Sequence, residues 1–373
     1  MIYLDSAATT LQKPPAVARS AAWAVGHLAT PGRGGHPPAA NAAGLSFRCR
    51  ELAARLFGVA DPERVIFTFN ATHALNIAIR SLVPPGGRVL LSGWEHNAVT
   101  RPLADLDVKV RMASGPLFRP ETALAAFEAS IEPGISAVIC THVSNVFGFI
   151  LPLEGIAALC RRRGVPLIVD ASQSAGCLPL DLDGLGASFI AMPGHKGLYG
   201  PQGTGLLLCG KDVETTPILC GGTGSASSLP HMPPFLPDRL EAGTHNMPGI
   251  AGLMAGLRFV QKTGISRILA HEQRLTRQAA MGLSRIPGVT VFAGPAQAGV
   301  LSFQVNGVDC ETVADRLGKM GIAVRAGLHC APLAHETAGT LQDGTVRASF
   351  SAFNTPAEGA QLVRCVARIA SSR

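Results

Sequence analysis

The middle of the chain alternates short apolar runs with helix-like segments, and this rhythm limits the fold more than any other feature. Candidate strands lie at Val65–Thr68, Arg88–Leu91, Val108–Met112, Ala137–Thr141, Leu167–Asp170, Phe189–Met192 and Gly205–Cys209. Candidate helices between them include Ala74–Leu82, Glu121–Ser130 and Leu153–Arg162. Parallel strands need a long crossover, usually a helix. The pattern therefore predicts an α/β fold with a mostly parallel seven-stranded sheet covered on both faces. The basic triplet Arg161-Arg162-Arg163 falls at a helix end, where cations meet the negative end of the dipole. Ligands of such sheets bind beyond the carboxyl ends of the strands, so polar residues just after a strand are the ones to examine.

After about residue 250 the pattern changes. A helical stretch, Pro248–Phe259, runs on through Glu272–Leu283. Short strands follow at Val289–Phe292, Val300–Val305, Ile322–Arg325 and Thr345–Phe350, with a helix at Cys310–Met320. This reads as a smaller α+β domain. The boundary is placed near residue 255, giving a large domain over 15–255 and a small one from 1–14 and 256–373. Gly221–Leu240 is rich in Gly, Ser and Pro and lacks periodicity, so it is expected to be an exposed or functional loop.

Composition excludes several classes. Of 373 residues, 47% are apolar and only 15% charged, which argues against disorder. No apolar run reaches the roughly 18–20 residues that span a bilayer, so no membrane partner is expected. The opening MIYLDSAATT has no basic stretch of a secretory signal. Nine cysteines are scattered without a CxxC pair, so neither a disulfide framework nor a bound metal is expected, and a cytoplasmic location fits best. The net charge of +7 is dispersed and not gathered into a face for nucleic acid. No GxGxxG follows the first strand, which removes a nicotinamide-binding reading.

Three strand-end features carry chemistry. In Leu167-Ile168-Val169-Asp170-Ala171-Ser172-Gln173 a hydrophobic strand ends in an acid, a position that a helix cap would also explain. In Met192-Pro193-Gly194-His195-Lys196-Gly197 a lysine follows a strand inside a glycine-rich turn, where a solvated cation is the plainer reading. In Arg325-Ala326-Gly327-Leu328-His329-Cys330-Ala331-Pro332 a cysteine lies near Arg325, His329 and His335, a setting expected to favour its thiolate. The first two have a joint use. A lysine amine forms Schiff bases with carbonyls, including pyridoxal phosphate, and that cofactor's ring nitrogen needs a carboxylate partner.

These segments belong to a longer series: YLDSAATT at Tyr3–Thr10, EHNA at Glu95–Ala98, HVSNVFG at His142–Gly148 and VDASQSAG at Val169–Gly176. The series continues with GHKGLYGPQGTG at Gly194–Gly205, EAGTHN at Glu241–Asn246, RAGLHCAP at Arg325–Pro332 and RASFSAFNT at Arg347–Thr355. Taken together they cover almost the whole chain. The sequence resembles the class V aminotransferase-fold enzymes, specifically the cysteine desulfurase and selenocysteine lyase family, in the branch with a short cysteine loop. The resemblance implies the fold-type I pyridoxal-phosphate transferase fold. It also implies an enzyme that converts L-cysteine to L-alanine, or acts on L-selenocysteine. Another class V activity without sulfur transfer, such as an aminotransferase, is the alternative, and a non-catalytic scaffold is a remoter one.

Residue roles follow from the resemblance alone. Lys196 would join the cofactor, pyridoxal 5′-phosphate, and later shuttle the proton at the substrate α-carbon. Asp170 would pair with the ring nitrogen, Gln173 with the ring hydroxyl, and Asn145 would lie on the same edge. His96 would stack on the ring and serve as an acid or base. Ala71 and Thr72, read as preceding a helix that begins near His73, would meet the phosphate together with His195. Thr244 would reach the site from the neighbouring subunit of a homodimer. Simple capping explains Thr72 and Thr244 equally well. Cys330 would take the sulfur as a persulfide and pass it to an acceptor, either a protein or a free thiol. Arg347 would clamp the substrate carboxylate, with a surface arginine as the plain alternative, and Ala8, His36 and Arg325 are further substrate-side candidates. One departure stands out. The family usually has Ser or Thr where this chain has Pro193, so one or two phosphate contacts, each worth about 1–3 kcal/mol, are expected to be missing.

Overall fold

The computed structural model describes residues 1–32 and 34–372. Its largest sheet has seven strands in the spatial order Val65–Thr68, Gly205–Cys209, Phe189–Pro193, Leu167–Asp170, Ala137–Thr141, Arg88–Ser92 and Lys109–Ala113. Gly205–Cys209 runs antiparallel to both its neighbours, and the other pairings are parallel. The seven strands expected between residues 65 and 209 are all present in it, each within one residue of its expected bounds.

The central strands are apolar on both faces because helices cover both. Leu90, Val138, Cys140, Val169, Ile190 and Leu208 face one core, with helices Pro37–Leu56, Pro120–Ser130, Leu153–Arg163 and Met247–Thr263. The alternate residues Val89, Leu91, Ile139, Ile168, Phe189 and Leu207 face a second core, under helices Ala71–Leu82 and Asn97–Asp105. This is the two-residue period of a strand at work. Each buried aliphatic side chain contributes roughly 1.5–3 kcal/mol relative to exposure.

A third core lies under a four-stranded sheet ordered Arg325–Gly327, Thr345–Ser349, Val300–Val305 and Val289–Phe292. Helices Ile265–Leu283, Cys310–Lys319 and Pro356–Ser371 cover it. The first residues of the chain join this region. Ile2–Tyr3 pairs in parallel with Ile322–Ala323, and the Ser349 amide donates to the Leu4 carbonyl at 2.7 Å.

Several local expectations are corrected. The expected strand Ile322–Arg325 is two short strands, Ile322–Ala323 and Arg325–Gly327, in different sheets. The long helical stretch is two helices, Met247–Thr263 and Ile265–Leu283, broken at Gly264, whose φ of +89° no β-carbon residue adopts comfortably. The helix expected near His73 starts at Ala71, because the Asn70 side chain caps it by accepting from the His73 amide at 2.9 Å. Gly221–Leu240 forms no strand and only a short 3₁₀ turn, Asp238–Leu240, at its end. Among the described residues no helix is long and apolar enough to cross a membrane.

Candidate active site

Five connections at the carboxyl ends of the large sheet's strands converge on one open cavity. Asp170 ends the strand Leu167–Asp170, and Gln173 follows in the next turn. His195 and Lys196 come just after Phe189–Pro193. His96 caps helix Asn97–Asp105, Asn145 lies beyond Ala137–Thr141, and Ala71 and Thr72 open helix Ala71–Leu82. The structure thus brings eight of the expected site residues to one cavity: Ala71, Thr72, His96, Asn145, Asp170, Gln173, His195 and Lys196.

Electrostatics in this cavity follow from burial. Desolvation lowers the Lys196 ammonium to about 8, and the Asp170 charge works against that fall. Asp170 is 3% exposed, and its Oδ1 accepts from the Ser172 amide at 2.8 Å. No hydrogen bond from the described residues occupies its other oxygen. His96 Nδ1 accepts from the Ala98 amide at 3.0 Å, which leaves Nε2 as the ring position that carries hydrogen. Burial lowers the His96 imidazole, while Asp170 raises it. His195 Nδ1 lies 2.9 Å from the Thr9 hydroxyl, and burial pushes this ring down to about 4. Glu95, beside His96, is fully buried. Its Oε1 accepts from the Thr141 amide at 2.7 Å and from the Ser92 hydroxyl. Burial pushes Glu95 up to about 8, so it is uncharged at neutral pH.

Residues 2–362 match the family Aminotransferase class-V. The chain belongs to that family. A probable cysteine desulfurase from Methanothermobacter thermautotrophicus is 33% identical over 371 residues, covering 96% of this chain and 92% of its own. A probable cysteine desulfurase from Vibrio cholerae is 32% identical over 383 residues, covering 98% and 93%. Among solved structures, an apo cysteine desulfurase from Thermococcus onnurineus NA1 superposes with a TM-score of 0.92 at 30% identity, covering 100% of this chain and 95% of that one.

Enzymes of this class V family depend on pyridoxal phosphate, and the residues lining the cavity fit that group. Lys196 offers an amine, and Asp170 offers a buried oxygen without a protein donor. The amides of Ala71 and Thr72 precede the first main-chain bond of their helix, which the Ala74 amide makes to the Asn70 carbonyl at 3.2 Å. Free amides at a helix N-terminus suit a phosphate. Pro193 also lines the cavity and supplies neither hydroxyl nor N–H. Gln173 donates from Nε2 to the Ala7 carbonyl at 2.9 Å, which ties the N-terminal segment to this wall.

The class V chain places Arg347 and Cys330 beside this cavity. Arg347 lies within strand Thr345–Ser349 and is 2% exposed, so it is no surface arginine. Its Nη1 donates to the Asn145 carbonyl at 3.0 Å and its Nη2 to Asp5 Oδ1 at 3.0 Å. Arg325 donates to Asp5 Oδ2 from Nη2 at 2.8 Å. Cys330 is exposed and adopts a left-handed backbone, φ 56°, as does His329, φ 51°. Two hydrogen bonds hold their loop against the cavity wall. The Asn97 amide donates to the Cys330 carbonyl at 2.8 Å, and Asn145 Nδ2 donates to the His329 carbonyl at 2.9 Å.

The expected histidine support for a Cys330 thiolate is corrected. Burial pushes His329 down to about 2 and His335 to about 4, so both rings are neutral at physiological pH. Arg325, the third residue of that expectation, is paired with Asp5. Thr244 and His36 do not line the Lys196 cavity of their own chain. Thr244 is exposed and borders another cleft with Phe67, Gly203 and His245, while His36 is exposed before helix Pro37–Leu56. Ala8 is half-buried, its amide donating to the Asp5 carbonyl at 3.1 Å. Sequence reasoning passed over Asp5, Glu95 and Thr9. Asp5 lies inside the YLDSAATT segment and Glu95 inside EHNA, which were the signals present.

Proposed function

We propose that this chain is a cysteine desulfurase that converts L-cysteine to L-alanine and receives the sulfur on Cys330. The observation that carries this reading is the anchoring of the Cys330 loop to Asn97 and Asn145, at the wall of the cavity that Lys196 and Asp170 share. A class V aminotransferase without sulfur transfer has no need of an exposed thiol fixed at that place.

Lys196 would hold the cofactor covalently, Asp170 its ring nitrogen and Gln173 its ring hydroxyl. His96 would lie against the ring, and Ala71, Thr72 and His195 would meet the phosphate. When bound, pyridoxal phosphate supplies an electron sink for the substrate α-carbon. Arg347 binds the substrate carboxylate, with Asn145 beside it. Lys196, with its amine lowered to about 8, is poised to take and return a proton at the α-carbon near neutral pH. The Cys330 thiolate attacks the substrate sulfur. An S–S bond forms as the Cβ–S bond breaks, the electron pair passes to carbon, and that carbon gains a proton. Alanine leaves, and Cys330 carries a persulfide for an acceptor thiol.

A homodimer with Thr244 supplied across the interface completes the proposal. Support comes from the exposed position of Thr244 and from the exposed apolar side chains Phe47, Phe69 and Leu219, which line the clefts that Thr244 borders. Grouped exposed apolar residues mark association surfaces. The test incubates the loaded protein with L-cysteine and, separately, L-selenocysteine, and follows alanine and the mass of the Cys330 peptide. Alanine formation that survives Cys330→Ala and fails in Lys196→Ala would leave pyridoxal chemistry standing and remove sulfur transfer through this thiol.

A further inference from the structure

Asp5 occupies a place that no expected role describes. Its carboxylate is 8% exposed and lies between two guanidinium groups. Oδ1 accepts from Arg347 Nη2 at 3.0 Å, and Oδ2 accepts from Arg325 Nη2 at 2.8 Å and Nε at 3.1 Å. Arg347 also donates from Nη1 to the Asn145 carbonyl at 3.0 Å, and its buried Nε has no hydrogen-bond partner. The guanidinium plane is therefore fixed at two points by acceptors from different parts of the fold, and donor capacity is left over.

The backbone holds Asp5 in that place. Asp5 bridges in parallel to Ser349, which lies on the same strand as Arg347, two residues on. The Ala7 amide donates to the Ser349 hydroxyl at 2.8 Å. Residues two apart on a strand share a face, so this pairing sets the Asp5 carboxylate at a fixed register from Arg347.

We propose that Asp5 is a positioning residue for substrate: it orients Arg347 for the α-carboxylate of a monocarboxylic amino acid. Two guanidinium groups and one carboxylate leave a single net positive charge, which one substrate carboxylate neutralises. The same acid holds Arg325 back, so the half-exposed guanidinium does not compete for the substrate carboxylate. Without Asp5, two like charges would face each other, one of them buried, and Arg347 would keep only its bond to the Asn145 carbonyl. This inference rests on the desulfurase reading for its substrate, and on the geometry alone for carboxylate binding.

The test uses the cofactor-loaded chain and the variants Asp5→Asn and Asp5→Glu. Asn keeps the shape and loses the charge, and Glu keeps the charge with a longer reach. In Asp5→Asn the KM for L-cysteine is expected to rise about tenfold or more, with kcat within about threefold, since a ground-state contact is lost. Calorimetric titration with 3-mercaptopropionate, which has the carboxylate and thiol but no amine, reads the same site without turnover. Its Kd is expected to weaken about tenfold in Asp5→Asn, the ratio set by one charge-assisted contact, and to recover in part in Asp5→Glu. A KM and a Kd both within about twofold of the parent would overturn the proposal, as would a fall in kcat alone. Failure of the parent protein to form alanine would sink the desulfurase reading, while the calorimetric arm would still decide the role of Asp5.

Discussion

Glu272 gives the sharpest quantitative test of the electrostatics. It sits on helix Ile265–Leu283, 7% exposed, beside a second, small cavity that also borders Lys196 and Gln173. Among the described residues no hydrogen bond or ion pair reaches its carboxyl group. Its room depends on Gly299, where an added β-carbon would come within 2.8 Å of Oε2. Burial pushes the group from 4.5 up to about 8. The folded-state value is raised, so the stability linked to this proton is complete below about pH 4.5 and is lost as pH rises through about 8. The gap between 4.5 and about 8, at about 1.4 kcal/mol per pH unit, amounts to about 5 kcal/mol, with water entry to the cavity reducing it. Glu272→Gln keeps the shape and cannot ionise. Urea unfolding of parent and variant should give stabilities within about 1 kcal/mol near pH 5 and a variant advantage of several kcal/mol near pH 9. All other titrations cancel in the difference. A difference that stays constant from near pH 5 to near pH 9 would refute the claim that this carboxyl is neutral and unpaired in the folded chain.

Three further outcomes are expected. In a pH titration followed by NMR the His335 ring should stay neutral through the physiological range and take up its proton only near about 4, and a midpoint at the ordinary 6.5 would count against its burial. Pro193→Thr should slow loss of pyridoxal phosphate in dialysis by restoring a hydroxyl worth about 1–3 kcal/mol, and unchanged retention would count against a phosphate contact there. Gly176→Ala should destabilise the chain by several kcal/mol in urea, since φ is +91° and the new carbon would lie 2.1 Å from the Gly197 carbonyl oxygen, in the turn next to Lys196.

The sheet was legible because its strands are apolar on both faces and end in turn residues, a signal that short windows carry well. Helices Pro15–His27 and Pro37–Leu56 escaped for the opposite reason. The buried face of the second uses Ala39, Ala42, Ala53 and Ala54 on either side of Leu45 and Leu52, so small residues blur the contrast between its sides. The cavity residues were visible because their chemistry sits at strand ends, where the fold class directs attention. Asp5 was not, since its meaning depends on Arg347, a partner 342 residues away. The setting of Cys330 was misjudged from adjacency. Three histidines and arginines close in sequence suggest a positive pocket, but only the direction each side chain takes decides which of them keeps a charge.

That distinction organises the whole site. Burial leaves Glu95 and Glu272 uncharged at neutral pH, and it leaves His195, His329 and His335 as neutral rings. Among the groups that keep a charge, Asp170 opposes the fall of the Lys196 ammonium in the cavity, and Asp5 pairs with both Arg347 and Arg325 beside it. A low-dielectric wall strengthens the interaction of each of these ions with its partner. The region near Ala71 and Thr72 has no guanidinium in its lining, so a phosphate there would meet helix amides and neutral donors. In the proposed reading an anion near Ala71 and Thr72 would be held by fixed dipoles, and the substrate carboxylate by Arg347, held in register by Asp5. That register gives a physical reason for the N-terminal segment to be laid across the strand that carries Arg347.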